Sequence, residues 1–228
     1  INMSEFKEEH KVSLLLGSPP GYVGYGEGGI LTEAVRRKPY GALLLDEIDK
    51  AHPGVQDIFY QVFDKGMLKD GEGRDIDFKN TTIMMTANTG TKTLTALFAD
   101  PDTMPVGDAL VDMLQSELLE QFKPAFLGRL AIVPYLPLDD HVLKQIIDLQ
   151  LKKISKRMRN QYGAALEIDG SVVDALVLRS RAIETGARAI ESTISREILP
   201  KLSRQILELT LKSQVVRSAK ISVDGAGQ

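Results

Sequence analysis

Leu43-Leu44-Leu45-Asp46-Glu47 is the stretch on which the reading of this chain turns. With Ala42 it forms a continuous aliphatic run that ends in two adjacent acids. That pattern predicts a strand buried on both faces of a parallel sheet. Such a strand carries its carboxylates to the C-terminal sheet edge, where open α/β folds bind ligands. The same string also occurs as a plain buried strand whose acids open the next loop, so its neighbours have to decide.

Upstream, Ile1-Asn2-Met3 reads as the end of a strand, and because Ile1 is not an initiator the chain reads as part of something longer. Residues 17–29 hold many glycines and two prolines without a helical period, which predicts a loop or paired turns. A helix is expected over 31–38, with Arg36, Arg37 and Lys38 at its C-terminal end and Pro39 stopping it. Downstream, His52-Pro53 opens a helix with Val55, Ile58, Phe59, Val62 and Phe63 on one face. A turn punctuated by Gly66 and by Asp70-Gly71-Glu72-Gly73-Arg74 follows, then a second buried strand over 81–86. Strands alternating with helices argue for a parallel sheet.

A loop over 100–105 leads into a helix ending near Phe122, and Pro134 and Pro137 bracket the expected domain boundary. Beyond it come a long helix (139–162), a short strand (165–168), a helix from Ser171 and a long helix from Thr185. Pro200 predicts a kink in that last helix, and 215–223 alternates as a final strand. The expected organisation is an α/β domain over 1–136 and a smaller, mostly helical α+β domain over 137–228.

The totals exclude several classes of function. Hydrophobic residues make up 43% and charged residues 26% of 228, ordinary for a soluble domain. A net charge of -3 lacks the basic excess of a nucleic-acid binder. The absence of cysteine removes disulfides and zinc–thiolate sites and fits a reducing, cytoplasmic compartment. His10, His52 and His141 lack metal-ligand spacing, and no apolar run approaches the ~20 residues of a membrane span.

Five features carry chemistry, each with a plainer alternative. In a nucleotide hydrolase, Asp46 would organise Mg²⁺ and Glu47 would polarise the attacking water. Asn88, just past the second strand, could orient water or touch a γ-phosphate, or simply favour a turn. Arg129 in Phe126-Leu127-Gly128-Arg129 could stabilise charge on a neighbour's nucleotide, or be a surface arginine near a helix end. Arg188 falls in the first turn of the helix opened by Thr185-Gly186, where its charge opposes the dipole; a phosphate or a salt bridge would explain it. Gly21-Tyr22-Val23-Gly24 holds an aromatic and an aliphatic between glycines, suited to gripping an extended polypeptide or to packing under a turn.

In this order, these motifs together resemble the second ATPase module of the Clp/ClpB-type AAA+ unfoldases, and the resemblance covers essentially the whole chain. It implies an AAA+ P-loop-type parallel sheet, N-terminally incomplete, followed by a small C-terminal subdomain. It also implies that Asp46 and Glu47 are the Walker B pair, Asn88 sensor 1, Arg129 the arginine finger and Arg188 sensor 2. Tyr22 and Val23 would line a central pore, with 70–74 as a second pore loop. ATP, Mg²⁺ carried with the nucleotide on Asp46, a homo-hexamer and a protein substrate are the implied partners. Within the family, Pro124-Ala125-Phe126-Leu127-Gly128-Arg129-Leu130 and Val133-Pro134-Tyr135 are most similar to the ClpV branch of bacterial type VI secretion. Sheath subunits of that apparatus are then the implied substrate. A general ClpB-type disaggregase is the alternative.

Two departures bear on this. Ala87 precedes Asn88 where the family often has Ser, and no G-x-x-x-x-G-K-[ST] occurs in the chain. Without that loop no backbone nest cradles phosphate. The isolated chain is therefore expected to bind ATP weakly or not at all and to hydrolyse none, serving alone as an oligomerisation or substrate-contact fragment.

Overall fold

The computed structural model describes residues 1–18, 21, 26, 28–98, 105–182 and 187–223, with backbone only at 181 and 182. The chain divides into two compact units, Ile1–Leu136 and Pro137–Gln228, each with its own apolar core.

The first unit begins with helix α1 (Glu9–Leu16), followed by α2 (Ile30–Arg37) and strand β1 (Ala42–Leu45). Helix α3 (Gly54–Lys65) ends on Gly66 at φ 67°, whose N–H donates to the carbonyl of Val62. The left-handed conformation needed there favours glycine. Next come β2 (Met67–Lys69), β3 (Asp75–Asp77) and β4 (Thr82–Met85). Helices α4 (Thr91–Phe98), α5 (Asp108–Gln121) and the short α6 (Pro124–Leu127) complete it.

β1 and β4 pair in parallel, with Leu43 opposite Ile83 and Leu45 opposite Met85. On the other side of β1, Asn2 forms a single parallel bridge to Asp46, so Ile1–Met3 does run beside the strand. Leu43 and Leu45 are buried, but Leu44 and its partner Met84 are each about half exposed. The expectation of strands buried on both faces is thus met on one face alone. The described residues cover the side carrying Leu43 and Leu45 and leave Leu44 and Met84 open.

Two elements were not legible as such. α1 has only Leu15 fully buried, too little period to distinguish it from the loop that follows. β2 and β3, three residues each, form an antiparallel hairpin around the expected turn. Its tip is fixed by the buried Asp70 carboxylate, which accepts from the backbone N–H groups of Glu72 and Arg74 and from Arg74 Nε at 2.7 Å. Gly71 N–H donates to the carbonyl of Leu16, and a Cβ there would lie 2.4 Å from the carbonyl oxygen of Gly17. Only glycine lets the hairpin tip approach the base of the 17–29 segment this closely.

The second unit opens with α7 (Asp140–Tyr162), capped by Asp139, whose side chain accepts from the Val142 N–H. It continues with β5 (Ala165–Ile168), α8 (Gly170–Ala182), α9 (Ala187–Thr193), a π-helical turn (Ile194–Ile198), α10 (Leu199–Leu211) and β6 (Ser218–Ile221). β5 and β6 pair in parallel. The kink expected at Pro200 takes the form of the π turn just before it. Proline lacks the N–H that would bond back to Arg196, and widening the preceding turn lets the helix continue.

Candidate functional site

The parallel register fixes where the first unit's acids and polar groups meet. β1 and β4 end together, so Asp46-Glu47 and Thr86-Ala87-Asn88 leave the sheet at the same edge. Thr86 joins them: its hydroxyl donates to the Asp46 carboxylate and accepts the Glu47 N–H at 3.0 Å. The Ile48 N–H then donates to the Thr86 carbonyl at 2.9 Å.

Glu47 adopts the left-handed conformation, φ 59° and ψ 47°. For a residue other than glycine this costs about 1–2 kcal/mol. The hydrogen bonds on both sides of it to Thr86 offset that cost. Its carboxylate accepts from Lys50 Nζ at 2.8 Å, and this bond holds its pKa below the ordinary carboxylate range, against a smaller upward push from burial. Glu47 is therefore an ionised acceptor at neutral pH.

Asp46 is exposed, and its second carboxylate oxygen has no hydrogen-bond partner among the described residues. An exposed carboxylate oxygen suits a hard cation. No group of three or more His, Cys, Asp or Glu that could hold a metal occurs among the described residues. Mg²⁺ commonly takes one or two carboxylates and completes its shell with substrate phosphates and water. Asp46 fits that role for Mg²⁺ arriving with a nucleotide. The side-chain amide of Asn88, exposed two residues beyond Thr86, likewise has no partner among the described residues.

Arg129 lies elsewhere in the same unit, past α6. Nη1 donates to the carbonyl of Ala125 at 2.9 Å, and Nη2 donates to Tyr60 Oη at 3.2 Å and to Asp64 Oδ1 at 3.1 Å. Its Cζ sits 4.3 Å from the centre of the Tyr60 ring. Arg188 belongs to the second unit, exposed as the second residue of α9. Of the Gly21–Gly24 motif, Gly21 has φ 91° and open space about its Cα, while Tyr22, Val23 and Gly24 lie outside the described residues.

Thr86 is the site residue that sequence reading passed over. It appeared there only as the last residue of a strand. Its place beside both acids depends on a pairing forty residues apart, which no local pattern reports. Asp64 and Tyr60 were missed for the same reason.

Both units of the chain are similar to known proteins. Residues 1–133 match the family described as AAA domain (Cdc48 subfamily), and residues 138–218 match the C-terminal, D2-small domain of ClpB protein. The chain is 52% identical over 222 residues to the AAA+ ATPase ClpV1 of Pseudomonas aeruginosa, covering 97% of this chain and 25% of that protein. It is 54% identical over 207 residues to the chaperone protein ClpB of Yersinia enterocolitica, covering 91% and 23%. A cryo-EM reconstruction of Hsp104 in its closed state, with ATPγS and FITC-casein, is similar at TM-score 0.75 and 33% identity, covering 91% of this chain and 36% of that one. The chain thus spans about a quarter of the length of the curated relatives it matches. With paired acids on a parallel sheet edge and both family matches in chain order, this protein belongs to the AAA domain family and within it to the second module of the Clp/ClpB-type AAA+ proteins.

Proposed function

We propose that the protein carrying this chain hydrolyses ATP between the subunits of a homo-hexameric ring and uses the energy to thread protein substrate through a central pore. The observation that carries this is the Asp46-Glu47 pair on the sheet edge, with Thr86 bonded to both residues. Bound ATP with Mg²⁺ supplies the γ-phosphoryl group and much of the charge neutralisation. Asp46 would hold the metal through its open oxygen, and Glu47, ionised beside Lys50, takes the proton of the attacking water. Asn88 orients that water, while Arg129 of the adjacent subunit and Arg188 meet the charge that develops on phosphate. Gly21, Tyr22, Val23 and Gly24 form the loop that grips substrate.

The similarity to ClpV1 supports type VI secretion sheath subunits as the substrate, in the bacterial cytoplasm. The similarity to ClpB favours a second reading, general disaggregation. The isolated chain has no G-x-x-x-x-G-K-[ST] segment and is proposed to be inactive alone. Among the described residues no helix is long and apolar enough to cross a membrane.

In the full-length protein, Glu47→Ala should keep ATP binding and ring assembly and abolish turnover; retained turnover would take the base from Glu47. Tyr22→Ala should keep ATPase activity yet uncouple it from substrate movement. Disassembly of sheath tubules, against rescue of an aggregated enzyme, separates the two substrate readings.

A further inference from the structure

We propose that Tyr60 and Asp64, on α3, are positioning residues for Arg129, and that hydrolysis on the adjacent subunit depends on them. This rests on the reading of Arg129 as the group that reaches a neighbour's nucleotide. Tyr60 and Asp64 stand one helical turn apart on the same face of α3. The ring of Tyr60 lies under the guanidinium, 4.3 Å from Cζ, and its hydroxyl and the Asp64 carboxylate both accept from Nη2. The carbonyl of Ala125 holds Nη1. The plane of the fork is thereby fixed from below and along one edge.

The support is stiff. Phe63 and Phe126 pack with tilted rings 6.0 Å apart, Phe59 and Phe122 extend the row, and Lys123 Nζ, just before α6, meets Asp57 at 2.6 Å, so an apolar row and an exposed ion pair tie α6 to α3. Arginine has five N–H donors. The contacts above use both of Nη2 and one of Nη1, leaving Nε–H and the second Nη1–H without a partner among the described residues.

Those contacts orient Arg129 rather than sequester it. Asp64 touches a single nitrogen and is half exposed, so water screens the pair and no bidentate contact occupies the fork. A free arginine carries substantial rotamer entropy, and stacking on Tyr60 removes part of that before any phosphate arrives. An arginine finger contributes about 10³–10⁵ to phosphoryl transfer, so loosening one should remove a measurable part of it.

The test is steady-state ATPase kinetics on the full-length protein. Tyr60→Leu and Asp64→Asn should each lower kcat about tenfold, with the KM for ATP and the affinity for an ATP analogue changed less than about twofold. Tyr60→Phe and Asp64→Glu, which keep the ring or the charge, should recover most of the loss. Arg129→Ala measured alongside separates the two ideas. If Arg129→Ala leaves kcat intact, the reading of Arg129 falls. If it abolishes turnover while Tyr60→Leu and Asp64→Asn leave kcat unchanged or raise it, the positioning proposal is overturned. A loss of kcat matched by an equal loss of ATP affinity, or not recovered by the conservative variants, marks a general structural effect and also overturns it.

Discussion

The hydroxyl of Thr86 accepts the backbone N–H of Glu47 at 3.0 Å. The same oxygen donates its hydrogen to the Asp46 carboxylate, so one side chain just past β4 sets both the conformation of one acid and the orientation of the other. Glu47 stays in the left-handed region because that bond and the one to Ile48 N–H close around it.

Replacing Thr86 by Val keeps the shape and removes the hydroxyl. A net hydrogen bond is worth about 1 kcal/mol, so the variant should unfold at lower urea by roughly that amount. In the full-length protein its kcat should fall about tenfold, since 1.4 kcal/mol in the barrier is a factor of ten. Thr86→Ser should restore both. Wild-type turnover in Thr86→Val would show that the relay does not serve the chemistry.

Lys50 sets the titration of Glu47. The Lys50 bond lowers the carboxyl's pKa, so in the folded state the acid stays ionised to lower pH than an ordinary glutamate, near 4.3. The sign follows: the pair's contribution to stability is present above the unfolded glutamate value and is lost as pH falls through the lowered folded value. Lys50→Met should move the Glu47 midpoint upward toward the ordinary range in a carbon-detected NMR titration. An unmoved midpoint would remove Lys50 as the cause.

Gln56 is nearly fully buried in α3, at 6% exposure, and is satisfied at both ends. Its Nε2 donates to the carbonyl of Gln121 at 3.1 Å and its Oε1 accepts the Lys123 N–H at 3.0 Å, while Gln121 Nε2 donates to the carbonyl of Asp49 at 2.6 Å. The chain of bonds ties the segment after Glu47 to the one before Arg129. Gln56→Leu leaves the part-buried Lys123 N–H and Gln121 carbonyl without these partners, at about 1 kcal/mol each. Urea unfolding should show a loss of that order, against less than about 0.5 kcal/mol for the exposed Gln61→Leu control.

What could be read early were features written locally. β1 ends in acids because an aliphatic run meets Asp46-Glu47, and the helix entered through Pro53 shows its buried face in the spacing of Val55, Ile58, Phe59 and Val62. The long helix over 139–162 and the strand at 165–168 were equally plain.

From its residues alone this chain determines its two-part α/β organisation, its paired acids and its kinship, because period, caps and motif order are properties of neighbouring residues. Tertiary structure alone decided that Thr86 serves both acids and that Tyr60 and Asp64 hold Arg129. Those contacts join positions about 40 and 65–69 residues apart. They exist only once strand register and helix packing have fixed which side chains face one another, and neither leaves a signature in any single stretch of sequence.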